Sequence, residues 1–162
     1  MTSTEPPERA LADAAARGLE VALLSRTSRP EGVGPDGTVA VKTIVLHRRD
    51  GFVFVLVPLD ERFSWPKLRA ALGVNRVRLP SEDEAYQATG YRRGTITPLG
   101  AGTAFPVVAD LRILGHDITL GSGSPGHAVR VRADDLVRAY DATVVDLVPG
   151  GPASSGEPST AR

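Results

Sequence analysis

The chain has 162 residues, 19 Lys+Arg balanced by 19 Asp+Glu, and 41% hydrophobic side chains, a composition that fits one globular domain with a sizeable core and excludes a chain disordered throughout. Zero net charge argues against a general nucleic-acid coat, and the absence of cysteine excludes disulfides and thiolate metal sites, in keeping with a reducing, cytoplasmic setting. Met1 to Glu8 carries acids and two prolines where a signal peptide needs a basic end and an apolar run, and no stretch reaches membrane-spanning length.

Leu11 to Arg17 reads as a short alanine-rich helix and Leu19 to Leu24 as a strand, followed by a glycine- and proline-rich loop from Arg29 to Gly37. Val39 to His47 and Phe52 to Pro58 are rich in branched residues and are separated by Asp50-Gly51, a hairpin signal. Ser64 is placed to cap a helix carrying Trp65, Leu68 and Leu72 at helical spacing, stopped by Gly73; Asn75 to Leu79 follows as a strand. Ser81 and Glu84 form a capping-box pattern for a second short helix ending near Thr89-Gly90.

Phe105 to Ala109, Asp117 to Leu120 and Ala128 to Val131 read as strands, Ala133 to Tyr140 as a helix and Thr143 to Val148 as a last strand. Pro149 to Arg162 is glycine, serine and proline rich, the composition of a disordered tail, which leaves residues 9–148 as the folded domain. Many short strands with interspersed helices, and no regular strand-helix alternation, point to an α+β sheet or barrel.

Lys42 is the chemically informative residue, because it interrupts the apolar strand Val41-Lys42-Thr43-Ile44-Val45-Leu46. A buried, unpaired ammonium costs several kcal/mol, roughly, or loses its proton, so Lys42 must reach solvent or an anion. Some fifty residues on, Thr89-Gly90-Tyr91-Arg92-Arg93-Gly94-Thr95-Ile96-Thr97-Pro98-Leu99-Gly100 is a loop able to offer backbone amides to such a ligand. From Arg62 to Arg78 the charges are Arg62, Lys67, Arg69, Arg76 and Arg78, with no acid between them. The plainer reading of that run is a solvated helix face, and a phosphate-tracking surface is the alternative.

Several patterns fail on inspection. Gly121-Ser122-Gly123-Ser124-Pro125-Gly126 has the letters of a dinucleotide fingerprint, but His127-Ala128-Val129-Arg130-Val131 alternates like a strand, whereas the fingerprint needs a helix there. A glycine turn between strands, with backbone able to line a pocket, is the remaining reading. A phosphate loop ending at Lys42-Thr43 fails because Asp36 and Val41 occupy its glycine positions. His47, His116 and His127 lack metal-ligand spacing, and His127 is the one placed beside the glycine turn. Ser122 stands where a nucleophile elbow around Ser124 requires glycine. These residues imply neither a metal nor a cofactor.

The lysine strand, the Thr89 to Gly100 loop, Asp110 after a strand and the Gly121 to Gly126 turn occur in an order that resembles the YbaK/ProX-type aminoacyl-tRNA deacylases, relatives of the editing insertion of bacterial prolyl-tRNA synthetase. The resemblance covers about Val39 to Val148. It implies a mixed, largely antiparallel barrel-like sheet flanked by short helices, and hydrolysis of the ester joining a wrong small amino acid to tRNA in the cytoplasm, with no cofactor. It also implies that Lys42, Gly94 and Gly123 serve catalysis, that Thr43, Tyr91, Thr95, Ile96, Thr97, Pro98, Gly121, Ser122, Gly126 and His127 line the substrate site, and that Arg92 and Arg93 meet the tRNA acceptor end. Where such proteins carry an alanine-rich helix before the lysine strand, this chain has Arg29 to Gly37, so amino-acid specificity is not transferred. A catalytically inactive tRNA- or ligand-binding module of the same fold, and a structural domain in which Lys42 pairs with an acid, remain the competing readings.

Overall fold

A computed structural model describes residues 6–25, 37–48, 51–101 and 105–149. Helix α1 (Pro6–Ala16) leads into strand β1 (Val21–Ser25), and β2 (Val39–Arg48) and β3 (Gly51–Pro58) form the central hairpin. Helix α2 (Trp65–Leu72), the short strand β4 (Val77–Arg78) and helix α3 (Glu82–Thr89) precede the loop. Strands β5 (Val107–Asp110), β6 (Asp117–Gly121) and β7 (His127–Arg132), helix α4 (Ala133–Tyr140) and strand β8 (Thr143–Val145) complete the α+β fold. No helix among the described residues is long and apolar enough to cross a membrane.

Local chemistry accounts for the helix ends. The Ser64 hydroxyl accepts from the Lys67 amide at the start of α2, and Gly73 closes it in the left-handed conformation. At α3 both halves of the Ser81/Glu84 capping box form. Helix α1 begins at Pro6, earlier than Leu11, because a proline in the first turn forfeits only an amide that has no intrahelical acceptor there. The hairpin closes at Arg48 opposite Gly51, so Gly51 is a strand residue; Asp50, most of the Arg29 to Gly37 segment, and the tail beyond Pro149 lie outside the described residues.

The strands run in the order β1-β7-β6-β2-β3-β5-β8, with β4 attached to β2. The long ladders β1–β7, β2–β3 and β6–β7 are antiparallel, while β2–β6, β3–β5 and β5–β8 are parallel. The sheet is thus mixed as expected, but it stays open instead of closing barrel-like, since β1 and β8 end the path unpaired with one another. Strand alternation sends the two faces of the central hairpin into separate cores. Val39, Val41, Val45, Phe54 and Leu56 join Ala10, Ala14, Leu99 and Leu136 in the larger one; Leu46, Val53, Val55 and Val57 pack with Leu68 and Leu147 in the smaller. Full burial of Leu68 contributes about 2 kcal/mol to holding α2 there.

Strand β8 ends at Val145, short of Val148, because an ion network captures the following residues. Asp110, fully buried, accepts from the Leu147 amide at 2.8 Å and from the Arg112 guanidinium at 2.8 Å. Arg112 also reaches Asp146 at 2.8 Å, and Asp146 accepts from Lys67 of α2 at 2.7 Å. Burial works to raise the Asp146 pKa, but hydrogen bonds from Lys67 and Arg112 outweigh it and hold the carboxyl below the usual carboxylate range. Asp110→Ala leaves the Leu147 amide without its acceptor and should cost about 2–4 kcal/mol, read as a lower urea midpoint. A loss under about 0.5 kcal/mol would show that the network is dispensable to the fold.

Candidate functional site

The site begins with a split in the sheet. Strand β6 pairs with β2 only at Val39↔Ile118 and Ala40↔Thr119, and β4 returns to the same edge only at His47 and Arg48. Between Val41 and Leu46 no strand among the described residues pairs with that edge. Extending the parallel register by two steps brings Gly121 level with Lys42, one on each side of the opening. Lys42 is half-buried, and its side chain makes no hydrogen bond or ion pair with any described residue. The neighbouring Thr43 points its hydroxyl to the other face of β2, where it is buried with no protein partner.

Glycine chemistry seats the Gly94 to Pro98 loop at this opening. Gly121 lies so close beneath it that a Cβ there would stand 2.6 Å from the Ile96 carbonyl oxygen and 2.8 Å from that of Thr95. The Gly123 amide, with the residue at φ +88°, donates to the Thr95 carbonyl at 2.9 Å. The two glycine segments therefore touch instead of facing each other across a gap. Gly123 has its amide committed to the loop, whereas the amides of Gly94, Ile96 and Thr97 find no acceptor among the described residues. Gly94 itself sits at φ +88° with open space where a side chain would project.

Other expected site residues stiffen these segments. The Thr95 hydroxyl donates to the Arg92 carbonyl at 2.7 Å, and the Thr97 hydroxyl accepts from the Leu99 amide at 3.2 Å. Tyr91 is buried and donates to the Leu99 carbonyl at 2.6 Å. The buried Ser122 hydroxyl donates to the His127 carbonyl at 2.8 Å and accepts from the Ser124 amide, which fixes the turn through Gly126. The ring of His127 lies 3.4 Å from the Ser124 hydroxyl at the start of β7. This turn joins two antiparallel strands, as its alternation required, and no dinucleotide helix follows. Arg92 stacks over Tyr86 at 3.8 Å, and Arg93 is exposed.

Sequence reasoning missed the brace that α1 and α4 apply to the far end of the loop. Asp13 accepts from the Gly100 amide at 2.9 Å and from the Tyr140 hydroxyl at 2.6 Å, while Arg17 pairs with its carboxylate at 3.1 Å. Arg9 covers the Tyr91 ring at 4.8 Å. Gly100 is required as glycine, since a Cβ would lie 2.7 Å from the Arg9 carbonyl and φ is +71°. In the sequence, Asp13 and Arg17 show only the spacing of a surface ion pair, and nothing links either to a residue more than eighty positions away.

Burial acts to raise the Asp13 pKa, but hydrogen bonds from Tyr140, Gly100 and Arg17 overcome it and leave the carboxyl below its ordinary value of 3.8. A depressed carboxylate contributes stability that is complete above the unfolded-state value and is lost as pH falls through the folded one. Acid below about pH 4 should therefore release the loop. Asp13→Ala should remove this pH dependence and increase amide exchange at Gly100 at neutral pH, measured by hydrogen exchange. Unchanged exchange would show that Asp13 does not hold the loop.

The match to known proteins agrees with this arrangement. The aminoacyl-tRNA editing domain model matches residues 27–139. The chain is 37% identical over 73 residues to proline–tRNA ligase of Thermosipho africanus, covering 45% of this chain and 13% of the ligase. It is 31% identical over 110 residues to that of Exiguobacterium sibiricum, covering 67% and 19% respectively. It thus spans less than a fifth of these curated relatives. A crystal structure described as a candidate trans-editing enzyme for prolyl-tRNA synthetase superposes with a TM-score of 0.78 at 24% identity, covering 92% of this chain and 100% of that one. Because that family model matches well over half of its length, the chain belongs to the aminoacyl-tRNA editing domain family.

Proposed function

We propose that the chain is a freestanding editing hydrolase that cleaves, in trans, the ester joining a wrongly attached small amino acid to tRNA. The observation that supports this reading is Lys42, its side chain unpaired among the described residues, on an unpartnered strand edge, together with a loop packed on Gly121 whose Gly94, Ile96 and Thr97 amides have no acceptor among the described residues. A buried amide without an acceptor calls for a ligand or water, and Ile96 is buried.

Ester hydrolysis places negative charge on the carbonyl oxygen, and each donor aimed at that oxygen contributes ~10²–10³ in rate. The loop amides suit that role because the braces at Tyr91, Thr97 and Asp13 hold the backbone in place before substrate arrives. Lys42, a flexible ammonium donor, suits anchoring of the terminal phosphate or ribose better than base duty. Asp110, the acid of the motif, is fully committed to Arg112 and Leu147 and is not a base. The attacking water is then oriented by backbone groups and by the substrate's own ribose hydroxyl or amino group.

Deacylation assayed against a panel of mischarged tRNAs, alanyl- and cysteinyl-tRNA(Pro) first, tests the proposal; tight tRNA binding with uniform inactivity would favour the binding module. Lys42→Ala should keep the fold and lower deacylation at least about tenfold, ~1.4 kcal/mol of transition-state stabilisation. Full turnover in a folded Lys42→Ala protein would remove the lysine from the site.

Arg92 and Arg93 adjoin the loop and are proposed to meet the acceptor end. Replacing both with alanine should raise KM for charged tRNA while barely changing hydrolysis of a short aminoacyl-ester mimic. Equal losses on both substrates would reassign the pair to supporting the loop, consistent with Arg92 stacking on Tyr86.

A further inference from the structure

The acid-free run of the sequence folds into a second site that the catalytic reading does not use. Arg48 from the end of β2, Arg69 from the last turn of α2, and Arg76 and Arg78 around β4 line one cleft of about 520 Å³, together with His47 and Asn75. No carboxylate lines it, in a chain whose net charge is zero. Arg78 is already held by Glu84 at 3.0 Å through both of its terminal nitrogens. Arg48, Arg69 and Arg76 make no ion pair among the described residues. Three like charges drawn to one cleft from three elements repel one another, and an anion in the cleft relieves that repulsion.

Two features select a polymeric anion over a small one. A second hollow of about 330 Å³, lined by Gly73, Val74, Asn75 and Arg76, adjoins the cleft and shares Asn75 and Arg76 with it, so the cationic surface is a trough and not an enclosed pocket. The trough also stands on the strand that carries Lys42. Arg48 lies six positions after Lys42, about 20 Å along β2, and the even spacing sets both on the same face. A free phosphate or mononucleotide cannot span that distance, whereas a nucleic-acid strand can. Guanidinium forks suit successive phosphates.

We propose that the Arg48–Arg69–Arg76 trough binds the phosphate backbone of the RNA whose 3′ end is held at Lys42, as a site separate from Arg92 and Arg93. This rests on the reading that the Lys42 site takes a charged tRNA. Uncharged tRNA and an acceptor-stem RNA hairpin are the probes, titrated by fluorescence anisotropy from 50 to 300 mM salt, with inorganic phosphate as competitor. Arg69→Ala/Arg76→Ala should weaken binding at least about tenfold and reduce the log–log salt slope by about 0.7–0.9 unit per lost contact. Hydrolysis of a short aminoacyl-ester mimic should be unaltered.

Arg76→Ala alone keeps the test valid if the double variant is unstable, because Arg76 is exposed and its side chain bonds to none of the described residues. Arg62→Ala, an equal charge change at an exposed residue outside the trough, should leave the slope within about 0.3 unit of the wild-type value, well below one contact. An unchanged slope in the trough variants, or an equal loss in Arg62→Ala, overturns the proposal. So does full competition by millimolar inorganic phosphate without any advantage for RNA. Undiminished deacylation and tRNA binding in the double variant would sink the trough and leave the hydrolase standing. Arginine-dependent RNA binding without deacylation of any charged tRNA would sink the hydrolase and leave the trough.

Discussion

The structure depends on one strand serving two half-sheets. Strand β2 pairs along most of its length with β3, yet on its other edge it holds β6 for only two residues before the strands separate. The opening beside Lys42 follows from that separation. Had β6 continued in register, its ladder would have covered the edge beside Lys42 and closed the opening. Instead β6 ends at Gly121, and the absence of a side chain there lets the Thr95–Ile96 backbone settle directly against it. The loop is tied to the turn after β6 through the Gly123 amide, and it has amides left over.

Charge in this molecule is sorted and not merely balanced. Several acids are spent on structure: Asp110 and Asp146 tie the segment after β8 to α2, Asp13 ties α1 and α4 to the loop, and Glu84 both caps α3 and holds Arg78. The pull of Arg78 first, then of the Ser81 amide, brings the Glu84 pKa to about 2, so that carboxylate remains charged through the physiological range. Among the described residues the cationic side chains with no ion pair, hydrogen bond or ring contact are Lys42, Arg48, Arg62, Arg69, Arg76 and Arg93, and four of these, Lys42, Arg48, Arg69 and Arg76, lie on β2 or beside its far end. A net charge of zero conceals this asymmetry, because not all of the acids and bases that cancel in the sum meet in space.

Preorganisation explains why so many polar residues of the loop turn inward. The hydroxyls of Tyr91, Thr95 and Thr97 all bond to loop backbone, and Tyr140 reaches both Asp13 and the Pro98 carbonyl. Each bond contributes only about 1 kcal/mol net, but together they fix the direction of the remaining amides before any ligand arrives.

The sequence by itself determined what local chemistry controls. Ser64, Ser81 with Glu84, and Gly73 mark helix ends because their partners are within four residues, and the bounds of α4 follow from its flanking strands. The β2–β3 hairpin is legible from branched residues around a tight connection, and Lys42 stands out because apolar strands do not carry free cations. Tertiary structure alone decided the rest: the open sheet, the split beside Lys42, the contact of Gly121 with Ile96, the Asp13 brace on Gly100 and the convergence of Arg48, Arg69 and Arg76. Each of these joins segments brought together only by long-range strand pairing and core packing, and neither periodicity nor capping encodes such pairings within one short window.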